Sequence, residues 1–143
     1  MAFLLDTDHL SILHGRNQPE CARLVARLTQ HPPDDLGTTI ISFHELVKGW
    51  MAYLNRMRTS EQVVRAYAEL EAVWRSFCKM NVISYSRDAE RRFTELRTQG
   101  LRIGTMDLRI ASIGLETDSV ILTRNLVDFE QVPGLRVEDW TVE

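Results

Sequence analysis

The sequence predicts an α/β fold, a mainly parallel sheet of four to five strands with helices on both faces. Three observations predict it. Short, almost wholly apolar runs of strand length recur along the chain, as in strands buried on both faces. Stretches with apolar residues at helical spacing separate them. The 143 residues suit a single domain spanning 1–143 with a real core, and no repeat, low-complexity tract or Ser/Gly linker divides them.

Residues 2–5, Ala-Phe-Leu-Leu, form the first predicted strand. Residues 19–30 read as a helix with Cys21, Leu24, Val25 and Leu28 on one stripe, and Pro32-Pro33-Asp34-Asp35 as a loop. Thr38-Thr39-Ile40-Ile41 reads as the second strand, followed by a helix from Ser42 to about Leu54. Residues 60–79 form a helix whose stripe is Val63, Tyr67, Leu70, Trp74 and Phe77, and Thr59 with Gln62 makes a capping box at its start. Val82-Ile83 is the third strand. Residues 87–99 form a helix with Ala89, Phe93 and Leu96 inward and Gly100 as its stop. Residues 106–117 are helical, Val120-Ile121-Leu122 is the fourth strand, and Leu135-Arg136-Val137 the fifth.

Composition narrows the function classes. The chain is 44% hydrophobic and 26% charged, which is globular rather than disordered. No apolar run reaches the roughly 20 residues of a membrane span, and the first residues lack the basic leader of a signal peptide, so a cytoplasmic protein is expected. Cys21 and Cys78 stand in no metal or redox spacing and are expected to be reduced thiols. The net charge of −3 does not announce a nucleic-acid binder. Even so, 15 of the 17 basic residues are Arg, six of them from Arg87 to Arg109. Arg suits forked phosphate contacts, although a solvated helix face laced with Arg–Glu pairs explains such a run equally well.

In parallel sheets, ligands bind beyond the carboxyl ends of the strands. Four acids fall there. Asp6 follows the first strand, Glu45 the second and Asp128 the fourth, while Asp107 opens a helix. Each has a bland explanation: Asp6 as a helix cap, Glu45 as the partner of Ser42 in a capping box, Asp107 as a favourable charge at a helix start, Asp128 as a turn residue. Together they suggest more. Carboxylates meeting at one sheet edge repel and need a counter-charge, which a hard divalent cation supplies through oxygen ligands. A cation held this way can activate water and neutralise a phosphate in transit.

These residues carry a family resemblance. Leu4-Leu5-Asp6-Thr7-Asp8, then Ile41-Ser-Phe-His-Glu45-Leu-Val-Lys-Gly49, then Ile103-Gly-Thr-Met-Asp107-Leu-Arg-Ile-Ala111, and finally Leu122-Thr-Arg-Asn125-Leu-Val-Asp128 running on to Trp140, resemble the PIN-domain ribonucleases, specifically the VapC-type toxins of type II toxin–antitoxin systems. Order and spacing agree from residue 3 to residue 140, and residues 50–100 agree only in helical character. The resemblance implies a PIN-like three-layer α/β/α sandwich and an endoribonuclease dependent on Mg²⁺ or Mn²⁺, with catalytic Asp6, Glu45, Asp107 and Asp128. Asp6, Asp107 and Glu45 would hold the metal. Asp8, Thr123 and Asn125 would complete a supporting rim. Many PIN domains carry Asp where this chain has Asn125, and an amide adds no negative charge, so one well-held metal and a second, weak or substrate-recruited one are expected. The resemblance further implies cleavage leaving a 5′-phosphate and a 3′-hydroxyl, with tRNA or another small structured RNA as substrate.

The same resemblance implies a cognate VapB-type antitoxin whose tail covers the acidic pocket, and a homodimer is expected. Leu46, Trp50, Tyr53, Leu54, Tyr67 and Trp74 are candidates for those contacts, or for ordinary core. An acidic pocket repels RNA, so basic residues must offset it, with Arg102, Arg109 and Arg124 the candidates. His9 and His44 flank the acids and read more readily as supporting or surface groups than as catalysts. Two rival readings stand. One is a degenerate PIN domain that only binds RNA or protein. The other is a haloacid-dehalogenase-type phosphatase, which Asp6-Thr-Asp8 resembles. That pattern expects Thr or Val where Leu10 stands, and a downstream Lys where only Lys48 and Lys79 exist.

Overall fold

The computed structural model describes residues 2–15 and 18–143. In chain order the elements are β1 (Phe3–Leu5), α1 (Thr7–Gly15), α2 (Pro19–Leu28), a 3₁₀ turn (Pro33–Asp35), β2 (Leu36–Thr39), α3 (Ile40–Arg56), α4 (Ser60–Cys78), β3 (Val82–Ile83), α5 (Arg87–Arg97), α6 (Thr105–Glu116), β4 (Val120–Leu122), α7 (Leu126–Phe129) and β5 (Arg136–Glu138). The five strands form one sheet in the order β3-β2-β1-β4-β5, and every pairing is parallel. The chain therefore steps outward from β1 to one side and then crosses back to the other. The carboxyl ends of β1 and its neighbours form the crevice at this reversal.

Alternation along the strands feeds two cores. Leu4 and Ile121 face a cluster with α5 and α6, built on Ala89, Phe93, Leu96, Leu108, Ile110 and Ile113. Leu5 and Leu122 face the opposite way, toward Leu10, Leu24, Val73, Phe77 and Trp140. This is the three-layer arrangement the sequence predicts. Gly114 lets α6 lie close to the sheet, since a Cβ there would stand 2.8 Å from Ile121 Cδ1. Gly100, at φ +69°, stands just beyond α5, where a left-handed residue ends the helix.

Several boundaries move. Ile40 and Ile41 are helical, not the end of the second strand, because the side chain of Thr39 accepts from Ser42 N–H and caps α3 there. Ser42 thus lies inside the helix and is no cap. The last strand runs Arg136–Glu138, one residue later than predicted. On α4 the predicted capping box of Thr59 and Gln62 is formed. Its buried face runs through Ala66, Val73 and Phe77, while Tyr67 and Trp74 are 59% and 55% exposed. Small Ala66 holds the inward position that the larger Tyr67 seemed to claim. Both cysteines are free, Cys21 buried and Cys78 exposed. Among the described residues no helix is long and apolar enough to cross a membrane.

Candidate metal centre

Asp6 is the residue at which β1 becomes α1. Its backbone N–H still donates to Leu122 O on β4, and its carbonyl already accepts from Leu10 N–H in the helix. A residue so held has no freedom to swing away, and its side chain is buried at 5% exposure. Oδ1 accepts from Thr7 N–H at 2.7 Å and Oδ2 from the Thr123 hydroxyl at 2.8 Å. Glu45 comes from the second turn of α3, where the Thr7 hydroxyl donates to its Oε1 at 2.7 Å. Asp107 stands in the first turn of α6. Carboxylate oxygens of Asp6, Glu45 and Asp107 lie within 4.8 Å of one another.

The electrostatics agree with the geometry. Burial, reinforced by the charge of Asp8, pushes Asp6 up to about 7, although hydrogen bonds from Thr123 and Thr7 pull the other way. Burial and then the charge of Glu45 push Asp107 up to about 6. Asp8 behaves oppositely. Burial would raise it, but hydrogen bonds from His9 and from Arg124 N–H outweigh that and hold it below the usual carboxylate range. A buried acid and a half-buried one that both resist ionisation beside a third are a site short of positive charge.

Asn125 and Asp128 form the rim. The Asn125 amide donates to Asp128 Oδ2 at 2.9 Å and to Asp107 Oδ2 at 3.4 Å. Asp128 is thus tied to Asp107 through an amide and lies outside the group of three. Thr123 serves both Asp6 and Asp8 at the start of α1, since its hydroxyl also lies 3.2 Å from Asp8 Oδ2. Arg124 is exposed beside the acids, its N–H bound to Asp8. Arg102 is exposed on the loop before α6, its backbone paired with the Gln131 side chain. Arg109 is not free: its guanidinium lies over the Phe93 ring at 5.1 Å, and its Nε is buried. His44 is exposed on α3.

His9 is the residue whose place the sequence least reveals. It is fully buried. Nε2 accepts from Trp140 N–H at 3.2 Å, so Nδ1 carries the proton and donates to Asp8 Oδ1 at 2.8 Å. The imidazole therefore ties the C-terminal segment to the first turn of α1, beside Asp6. Replacing His9 by Ala would leave both partners unsatisfied around a cavity. We expect a loss of about 2–4 kcal/mol in urea unfolding. A cation held by the three acids would also bind up to roughly tenfold more weakly, because Asp8, which His9 steadies, shares the Thr123 hydroxyl with Asp6.

The donor set fits a hard divalent cation. It offers only oxygen, it is buried at its centre, and its spacing is one that an ion about 2.1 Å from each ligand can bridge with small side-chain movements. An apolar cleft of about 550 Å³ beside Leu13, Leu28, Leu36 and Met80 contains none of the four acids.

No family model matches the chain. It is 30% identical over 146 residues, 99% of each chain, to ribonuclease VapC1 of Haemophilus influenzae (strain R2866). It is 26% identical over 144 residues, 98% of each chain, to the tRNA(fMet)-specific endonuclease VapC of Salmonella typhimurium (strain LT2). The structure of VapBC-1 from nontypeable Haemophilus influenzae superposes with a TM-score of 0.75 at 26% identity, covering 99% of this chain and 100% of that one. The structure of VapBC2 from Rickettsia felis, bound to a promoter DNA fragment, shares the fold with a TM-score of 0.74 at 22% identity, covering 98% of this chain and 99% of that one. The all-parallel five-stranded sheet with acids gathered at its central exits matches the PIN-domain fold of the VapC structures. The chain belongs to the VapC family of ribonucleases.

Proposed function

We propose that residues 1–143 form one PIN domain that hydrolyses RNA phosphodiester bonds with Mg²⁺ or Mn²⁺ bound, and that a VapB-type antitoxin restrains it. The convergence of Asp6, Glu45 and Asp107 carries this reading. These three residues would hold the cation. When bound, it lowers the pKa of water and offsets negative charge on the phosphate.

The chain's own residues account for the rest. Thr7, Thr123 and Asn125 fix the acids in place by hydrogen bonds. Glu45, steadied through Oε1, would orient the attacking water from beside the cation, and the water's proton passes to solvent. The water oxygen bonds to phosphorus as the bond to the 3′-oxygen breaks. That oxygen leaves with a proton from solvent, giving a 5′-phosphate and a 3′-hydroxyl. Asp128, held by the Asn125 amide, adds its own negative charge at the rim. Arg124, and Arg102 beyond it, offset the repulsion an acidic site exerts on RNA.

A small structured RNA is the proposed substrate class, supported by the relatives named as tRNA(fMet)-specific endonucleases. The antitoxin is supported by relatives solved as VapBC assemblies. Val64, Tyr67 and Trp74, exposed along α4, form the apolar face for that partner or for a second copy of the chain.

The test is cleavage of a small-RNA pool, with fragment ends mapped. Discrete fragments bearing 5′-phosphates, formed with Mg²⁺ or Mn²⁺ and lost in EDTA, would support the reading. Cleavage that persists in EDTA would contradict the metal, and no cleavage together with no cation binding would leave a binding module.

A further inference from the structure

Glu45 lines a second feature besides the acid cluster: a groove of about 300 Å³ that runs along α3, bordered by Ser11 of α1 and by Gly49, Trp50, Tyr53 and Arg56. Glu45, Gly49, Tyr53 and Arg56 are spaced by four, four and three residues and so fall on one face of the helix, extending about 16 Å along its axis. The groove thus begins at a wall of the candidate centre and leads away from it.

Gly49 sits in the middle of this 17-residue helix, where glycine is the poorest helix former after proline. No neighbour explains it. The residue is exposed, and a Cβ built there would meet nothing within 4 Å. What it contributes is a bare floor to the groove. Beyond it, Trp50 and Tyr53 are half-buried and meet edge to face, with ring centroids 5.4 Å apart. Arg56 at the far end is exposed and makes no ion pair among the described residues.

An aromatic pair and a free guanidinium, reached over a bare stretch of helix from a phosphodiester-cleaving site, are the parts of a single-strand binding track. We propose that this groove seats unpaired RNA next to the scissile phosphate. A base stacks at Trp50 and Tyr53, and Arg56 holds a backbone phosphate. The inference rests on the nuclease reading above and adds that the substrate enters as single strand, along α3.

Gly49→Leu tests it without disturbing the core, because the new side chain enters only the groove. Steady-state cleavage of small RNA and tryptophan quenching by oligouridylate in EDTA are the two readouts. The expected result is a KM raised roughly tenfold with kcat kept and the thermal midpoint no lower than in the wild type, since Leu is the better helix former, and a matching loss of oligouridylate affinity. Trp50→Phe, which keeps a stacking ring but loses the indole, should lose part of the quenching and weaken affinity less than Gly49→Leu does. Wild-type KM and affinity in Gly49→Leu, with wild-type cleavage intact, would overturn the groove and leave the nuclease standing. So would a Gly49→Leu protein that loses binding of an amphipathic basic peptide but not of RNA. A wild-type protein that neither cleaves RNA nor binds Mn²⁺ would overturn both.

Discussion

Asp6→Asn is expected to reduce RNA cleavage to background while making the metal-free protein more stable at pH 8. The two effects share one cause. Asp6 is the most buried of the three acids, and a cation held by the group would lean on it most. Losing a direct ligand should exceed the ~10–100-fold typical of supporting partners. In the metal-free protein the same carboxylate is a liability, because burial and Asp8 raise it to about 7. Asn keeps an acceptor for Thr7 N–H and carries no charge to desolvate. Its thermal midpoint at pH 8 should therefore rise by several degrees. A variant that is inactive and also much less stable would point to a structural role alone.

The second large effect is the pH dependence of metal-free stability. A carboxyl whose folded pKa lies above its unfolded value binds protons more tightly when folded, so it favours the fold in acid. For Asp6 that contribution is complete below about 4 and is lost as pH rises through about 7; for Asp107 it is lost through about 6. Asp8, held low, acts in the opposite sense, its contribution present above about 4 and lost in stronger acid. Urea unfolding in EDTA should therefore show stability falling from pH 5 to pH 8, by an amount on the order of 2–4 kcal/mol from Asp6 alone. Mn²⁺ at a hundred times its dissociation constant should reverse the fall at pH 8, adding about 2.7 kcal/mol. A pH-independent stability, unchanged by metal, would contradict the account of these acids.

Much of this arrangement was legible in the residues. β1, β3 and β4 are apolar runs whose limits hardly depend on tertiary context, and α5 carries an unambiguous stripe in Ala89, Phe93 and Leu96. Helix α1 was not legible: its inward residues His9, Leu10 and Ile12 make no clean stripe, because it packs among α2, α3 and the central strand β1. The short α7 was equally hidden. The start of α3 is hidden from a local reading because β-branched Ile40 and Ile41 favour a strand, whereas the Thr39 cap decides the helix. At the site, the four acids could be read from their places after strands, but which three converge depends on side-chain reach across the crevice. Asn125 drawing Asp128 aside, Thr7 steadying Glu45 and His9 joining Asp8 to Trp140 are contacts over distances in sequence that no local pattern encodes.

The most direct test of the central claim is a calorimetric Mn²⁺ titration of the metal-free protein at pH 7.5, repeated with Glu45→Gln and Asp107→Asn. The three carboxylates predict one well-defined site, weakened at least tenfold in each variant, with protons released on binding at lower pH. Binding that ignores both substitutions, or no binding at all, would contradict a cation centre built on Asp6, Glu45 and Asp107.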